Sequence, residues 1–180
     1  MCRRKRQING SSLVFLDDSK EIPPGAQPPD DDRVVRPLTR PDIAEVQAVA
    51  KDSGLTFAPP PLNPGESISE VGTVSVFVCE GDRKIVGMIA WRDLGEEAEI
   101  LDLVVHPNHR RHGYASCLLK NFVRHVSQSA IQKVFLEVRE SNTAAIALYK
   151  KFGFQISGRR PHYYRTPEEN ALLMTLSLQA

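Results

Sequence analysis

The chain has 180 residues, of which 41% are hydrophobic and 25% are charged, and its formal net charge is +1. This composition supports one domain with a substantial core. It gives no reason to expect nucleic acid or an acidic membrane as the main partner. The three scattered cysteines lack zinc-site spacing and suit a reducing compartment. No run approaches the ~18 apolar residues of a membrane span, so the expected location is the cytoplasm.

The first 32 residues differ in composition from the rest of the chain. They contain a basic start, a proline-rich stretch and three consecutive aspartates. Such a segment buries too little apolar surface to offset its conformational entropy. The sequence therefore predicts a disordered tail or linker over 1–32 and a single folded domain over 33–180.

The folded region begins with a predicted strand over 34–38 and a helix. Thr39 is the expected cap of this helix, Pro41 occupies its first position, and Gly54 ends it. Residues 55–68 contain four prolines. A connection this long in a compact domain is more often a functional loop than a simple spacer.

The rest of the chain alternates between strand and helix patterns. Three segments rich in Val, Ile, Phe and Trp, at 73–80, 84–93 and 97–106, predict an antiparallel meander. The remaining predicted elements are a helix over 114–129, a strand over 133–139, a helix over 143–151, and strands over 154–160 and 171–178. This pattern predicts an α+β fold in which helices pack on a sheet.

The turn before the 114–129 helix carries the most informative chemistry. An apolar strand ends at Pro107, a basic turn follows, and the helix begins near Gly113. Backbone N–H groups at a helix start, the helix dipole and nearby arginines together favour a phosphate or pyrophosphate. An ordinary connection with solvated arginines fits the same pattern. The candidate phosphate-binding residues are Arg110, Arg111, His112, Gly113, Tyr114, Ala115 and Ser116.

Two linked motifs resemble those of one enzyme family. Residues 110–115 fit the Arg/Gln-x-x-Gly-x-Gly/Ala signature of the GNAT family of N-acetyltransferases, and the runs 136–149 and 152–154 resemble its second conserved block. Over 101–176 the chain is similar to the bacterial ribosomal-protein-alanine N-acetyltransferases. The resemblance implies a three-layer α/β/α fold, whose mixed, mostly antiparallel sheet has splayed central strands. It also implies an acetyl-CoA-dependent N-acetyltransferase; we expect no metal, and a monomer or weak dimer.

The resemblance assigns residues to coenzyme binding. In the family, the basic turn holds the pyrophosphate of acetyl-CoA and the pantetheine arm lies between the parted strands. This implies that the backbone of Leu103, Val104 and Val105 contacts the arm, and that the Val105 N–H polarises the thioester carbonyl. These three residues also fit plain strand core, and the two interpretations are compatible. Asn142 is expected to cap a helix, and the resemblance adds a hydrogen bond to CoA.

The resemblance also implies two catalytic side chains. Glu137 interrupts an apolar strand, and its counterpart in the family accepts the proton that the attacking amine must lose. Tyr149 corresponds to the tyrosine that protonates the departing CoA thiolate. The alternative for Glu137 is a strand carboxylate paired with Arg139 or a lysine. The alternative for Tyr149 is an aromatic anchor that packs a helix on the sheet.

The acceptor is less constrained than the coenzyme. The resemblance points first to a protein N-terminal α-amine, then to a free amino acid or small amine; a non-catalytic acyl-CoA-binding module is the alternative class. Residues 56–64 lack the tryptophan of a Pro-Trp-Ser element found in the related enzymes, and an extra Pro161-His162 pair precedes two tyrosines. The segment 159–164 fits either a lining of the acceptor channel or a polar hairpin.

Overall fold

The computed structural model describes residues 33–55, 74–81 and 83–178. The predicted tail and most of the proline-rich connection lie outside the described residues, and the division at residue 33 stays a prediction. The strands are β1 (Val34–Pro37), β2 (Val74–Gly81), β3 (Lys84–Asp93), β4 (Glu97–Val105), β5 (Lys133–Arg139), β6 (Gln155–Arg165) and β7 (Glu168–Ser177). The helices are α1 (Ile43–Asp52), α2 (Tyr114–Val126) and α3 (Thr143–Lys151).

The described strands form one mixed sheet in the order β1-β2-β3-β4-β5-β7-β6. Neighbouring strands are antiparallel except β4 and β5, which are parallel. Short turns join β2, β3 and β4 into the predicted meander. The α+β prediction is confirmed.

Two apolar clusters pack on opposite faces of the sheet. On one face, Val46, Val49 and Ala50 of α1 pack against Val76, Val78, Met88 and Val104. On the other, Leu118, Leu119 and Phe122 of α2 and Tyr149 of α3 pack against Val86, Ile89, Trp91, Leu136 and Met174. Burial of each large apolar side chain contributes about 1.5–3 kcal/mol. The arrangement confirms the predicted three layers. Among the helices of the described residues, none is both long and apolar enough to cross a membrane.

The two central strands separate part-way along their length. The β4–β5 ladder runs from the pair Glu97–Lys133 to the pair Ile100–Leu136 and no further. At this point β4 contains a bulge: Trp91 pairs with Ile100 but the adjacent Ala90 pairs with Asp102, so Leu101 is an extra residue. A bulge bends its strand and increases the local twist. The result is an opening between residues 101–105 and 137–139, which confirms the predicted splay.

The hairpin of β6 and β7 is longer than predicted. The sequence pattern ended the first strand at residue 160 and began the second at residue 171, whereas β6 continues to Arg165 and β7 begins at Glu168. The register breaks between Arg160 and Tyr164. Pro161 lies in this irregular segment, where a missing N–H does not cost a regular ladder bond. The predicted bounds of the two strands, 154–160 and 171–178, were therefore too short at the hairpin end.

The close approach of β3 to β4 beside the opening gives a test of the fold. A Cβ atom at Gly87 would lie 2.7 Å from the Val104 carbonyl oxygen and 3.2 Å from a methyl carbon of Leu118. Gly87→Ala should therefore lower the free energy of unfolding by about 1–3 kcal/mol in urea denaturation.

Gly158→Ala is the matched control, because a Cβ atom there would make an ordinary 3.9 Å contact with Leu173. Its effect should stay within about 0.5 kcal/mol. Equal losses from the two substitutions would contradict the packing explanation.

Candidate active site

The basic turn connects β4 to the start of α2 through two residues with positive φ angles. After β4, a 3-10 turn over Pro107–His109 leads into the start of α2. Arg111 and Gly113 both have positive φ angles, of 65° and 80°, and the second is the N-cap of α2. The first turn receives no side-chain cap. The N–H groups at the start of α2 point along the helix axis without an intrahelical acceptor, as at every helix start.

Side chains around this turn divide into exposed and anchoring groups. The Arg110 Nε donates a 3.2 Å hydrogen bond to the Val105 carbonyl oxygen, so its guanidinium stays near the end of β4. Arg111 and His112 are exposed. Tyr114 is buried against β2, with the guanidinium carbon of Arg33 5.4 Å from its ring centre. Tyr114 therefore fixes the start of α2 through its ring, and only its backbone belongs to the turn.

The end of β4 directs two backbone amides into the opening. The His106 N–H donates to the Val86 carbonyl oxygen at 2.8 Å. Because hydrogen-bonded and non-hydrogen-bonded pairs alternate in an antiparallel ladder, Val104 directs its N–H to β3. Leu103 and Val105 direct theirs away from β3, towards the gap that β5 leaves. Of the three predicted backbone positions, these two present amides to the opening.

Glu137 lies on β5 at the edge of the opening. Its neighbours Leu136 and Val138 are in the core beside α2 and α3, so Glu137 projects from the opposite face. Its side chain is 17% exposed, and its Oε1 lies 2.6 Å from the Arg160 Nη1. A hydrogen bond to Glu137 raises the pKa of the Tyr163 phenol. The carboxylate is thus held by two groups of β6.

Arg139 does not pair with Glu137. Its Nη1 lies 3.0 Å from an oxygen of Glu169, and its guanidinium stacks 4.0 Å from the ring centre of Tyr164. The ion-pair partner of Glu137 is therefore Arg160, and not Arg139 or a lysine as the sequence suggested. That arginine comes from a strand with β7 between it and β5.

Tyr149 is buried, and it packs as the aromatic anchor that was considered for it. Its ring packs 5.5 Å from that of Phe154, which anchors α3 on the sheet. Burial, and then the nearby charge of Asp102, raise the pKa of the Tyr149 phenol well above its usual value. The hydroxyl therefore stays protonated at neutral pH. Asn142 caps α3, as predicted, by accepting a 3.2 Å hydrogen bond from the Ala145 N–H.

Asp102 is a further acidic residue at the opening, and it was not among the predicted site residues. This carboxylate follows the bulge in β4, and burial raises its pKa. Among the described residues, no hydrogen bond or ion pair to its carboxylate is present. The signal was a lone acidic residue in the apolar run 100–105. Within the described residues, no group of three or more His, Cys, Asp or Glu side chains is arranged to hold a metal ion.

Comparison with known proteins places this geometry in a family. A sequence profile of the acetyltransferase (GNAT) family matches residues 51–154. The chain belongs to this family. It is 35% identical over 85 residues to the ribosomal protein bS18-alanine N-acetyltransferase of Escherichia coli strain K12. That match covers 46% of this chain and 57% of the relative, so the matched segment spans little more than half of the relative's length.

Two solved structures share the fold of the family at lower sequence identity. The ribosomal-protein-S18-alanine N-acetyltransferase from Escherichia coli has a TM-score of 0.68 and 22% identity, and the match covers 82% of this chain and 95% of the other. A GNAT family acetyltransferase from Elizabethkingia anophelis, with acetyl-CoA bound, has a TM-score of 0.63 and 15% identity. That match covers 82% of this chain and 99% of the other. These matches support the fold assignment.

The raised pKa of Asp102 predicts a pH-dependent stability. Because the folded state disfavours the charged carboxylate, Asp102→Asn should increase the free energy of unfolding at pH 7. The gain should shrink as the pH falls through the raised pKa, and it should vanish below the usual value of 3.8, where the carboxyl is protonated in both states.

Urea denaturation at several pH values measures this effect. Glu96→Gln is the control, because Glu96 is exposed and its substitution should change stability by less than about 0.5 kcal/mol. A gain from Asp102→Asn that is independent of pH would contradict the assignment to burial.

Proposed function

We propose that the chain is an acetyl-CoA-dependent N-acetyltransferase that transfers the acetyl group directly to a primary amine. The observation that carries the proposal is the parting of β4 and β5 beyond Ile100 and Leu136. One end of this opening meets the amides at the start of α2, and Glu137 borders the other side. Family membership supports the same activity.

The proposed coenzyme site follows the opening. Residues 110–116 bind the pyrophosphate through backbone N–H groups and the two arginines. The segment Leu103, Val104 and Val105 borders the pantetheine arm, with a hydrogen bond from the Leu103 amide, while the Val105 amide is left for the thioester carbonyl. Asn142 adds a hydrogen bond to CoA besides its role as a helix cap.

The proposed chemistry uses one donor and one acceptor of protons. The amine nitrogen attacks the thioester carbon, and the Val105 N–H stabilises the developing oxyanion, an effect worth about 2.7–4 kcal/mol per donor in other enzymes. Glu137 takes the proton that the amine loses, either directly or through a water. Tyr149 gives its phenolic proton to the departing thiolate. The raised pKa of Tyr149 suits this role, because the phenol is protonated when the thiolate forms.

For the acceptor, we propose a protein N-terminal α-amine first. The E. coli relative is named as an enzyme that acetylates an alanine of a ribosomal protein, and this supports the assignment. A free amino acid or small amine is the second candidate. The presence of both Glu137 and Tyr149 disfavours a non-catalytic acyl-CoA-binding module, because such a module needs neither residue. The monomer or weak dimer stays a prediction.

Two measurements test the function. Calorimetry should detect binding of acetyl-CoA to the full chain. Mass spectrometry after incubation with isotopically labelled acetyl-CoA should find the label on the α-amine of short peptides, and a parallel panel of free amino acids and small amines separates the two acceptor classes. Binding without transfer to any amine would favour the non-catalytic module, and absence of binding would contradict both.

Glu137→Gln should lower kcat at neutral pH by about 10²–10⁴-fold, because it removes the proton acceptor. The Kd of acetyl-CoA should change little, since Glu137 does not belong to the coenzyme site. Steady-state kinetics across pH and calorimetry measure the two quantities. Glu140→Gln is the control, because Glu140 pairs with Arg159. A variant that keeps the wild-type pH–rate profile would refute the assignment of the base.

Arg111→Ala should raise the Kd of acetyl-CoA by about 10- to 100-fold. This range corresponds to the loss of a charge-assisted hydrogen bond of about 1.5–3 kcal/mol. The loss should shrink at high salt, because the phosphate contact is exposed. Arg124→Ala removes the same charge from the last turn of α2 and should leave the Kd unchanged. Equal effects of the two substitutions would indicate a nonspecific charge effect.

A further inference from the structure

The proposed base, Glu137, already forms an ion pair with the side chain of Arg160. The Oε1 of Glu137 lies 2.6 Å from the Nη1 of Arg160, which is the range of a charge-assisted hydrogen bond. An acceptor amine arrives mostly as an ammonium ion. It must take over this carboxylate before its proton is transferred, so the arginine has to give way.

The sheet register explains how Arg160 reaches the base. Glu137 pairs with Leu173, which pairs with Gly158, and the next row with the same orientation contains Arg139, Ala171 and Arg160. Paired residues project from the same face of a sheet. In the row of Glu137, Leu173 lies between the carboxylate and Gly158, whereas in the row of Arg160 the intervening residue is the small Ala171. Arg160 therefore reaches the carboxylate diagonally across β7, from the row that contains Ala171.

Arg160 is the replaceable member of the pair. Its side chain is 55% exposed, against 17% for Glu137, so the guanidinium can turn outward with little loss of packing. The acidic residues of β7 and of the turn after β5 already have partners. They pair as Glu169 with Arg139, Glu140 with Arg159, and Glu168 with His162. A displaced Arg160 therefore finds none of these carboxylates free.

Tyr163 keeps the base in position during such an exchange. The Glu137 carboxylate raises the pKa of the Tyr163 phenol, which shows that the two groups are neighbours, and the Arg160 guanidinium lies 5.6 Å from the Tyr163 ring centre. Turning the arginine outward leaves the phenol on the carboxylate and the ring as a surface for the guanidinium.

We infer that Arg160 selects acceptor amines that carry a carboxylate close to the reacting nitrogen. With such an acceptor, the ammonium binds Glu137 and the carboxylate receives the planar guanidinium, so two ion pairs replace one. An acceptor without the carboxylate leaves Arg160 without a partner. The inference rests on the proposed acetyltransferase function. Two sources supply this chemistry: an acidic residue at the second position of a peptide, and the α-carboxylate of a free amino acid.

The test compares matched pairs of acceptors. One pair consists of peptides with Asp or Asn at the second position, and the other of a free amino acid and its amide. With the wild-type chain, kcat/KM should favour the carboxylate member of at least one pair by about tenfold or more, from the strength of charge-assisted hydrogen bonds. Arg160→Gln should bring this ratio to about one, mainly through KM for the charged acceptor.

Two further variants separate charge from structure. Arg160→Lys keeps the charge but loses the planar geometry, and it should retain part of the preference. Arg159→Gln removes the neighbouring charge, whose partner is Glu140, and should keep the wild-type ratio. Urea denaturation checks that each variant is folded.

The outcomes separate failure of the inference about Arg160 from failure of the proposed acetyltransferase function. A preference confined to the peptide pair or to the amino acid pair supports the inference and identifies the source of the carboxylate. A wild-type ratio near one in both pairs, or an equal ratio in Arg160→Gln, overturns the inference while acetyl transfer stands. Failure of the wild-type chain to acetylate any of the four acceptors overturns the proposed function as well.

Discussion

The early end of the β4–β5 ladder is the constraint on which the rest of the site depends. Backbone N–H groups buried without a partner are costly, and sheets normally pair them along the full strand. Here Leu103 and Val105 direct their N–H groups into the gap that forms beyond the bulge at Leu101. The fold thus holds two N–H donors in fixed positions beside the gap between β4 and β5. Such preorganised donors are what stabilisation of a developing oxyanion requires.

The two faces of the sheet contribute different groups to this opening. The face with α2 and α3 supplies the amides at the helix start and the buried phenol of Tyr149. The opposite face supplies Glu137 with its partners from β6. Coenzyme and acceptor therefore approach from different sides in the proposed mechanism. In that mechanism, changes in the β6–β7 hairpin should affect the acceptor side and leave the coenzyme turn intact.

Local signals were sufficient for the turn and for most elements. In the segment 110–116, Gly113 accommodates a positive φ and the helix pattern begins directly after it, whereas the positive φ of Arg111 has no signal in the sequence. The partner of Glu137 was not predictable in this way. Arg160 is 23 positions away, and its reach depends on a strand that lies between and on the irregular register after it. The side of the sheet on which Asp102 lies was not predictable for a similar reason, because the bulge at Leu101 reverses the alternation of side chains along β4.

The surplus residue in β4 has a consequence for how such chains diverge. A strand without Leu101 would keep the regular alternation of side chains. Residues 102–105 could then form backbone hydrogen bonds with β5 along its full length. In that case strand pairing would close the opening, and the Leu103 and Val105 N–H groups would donate to β5. The length of β4 at this one point thus matters to the opening as much as the side chains that border it.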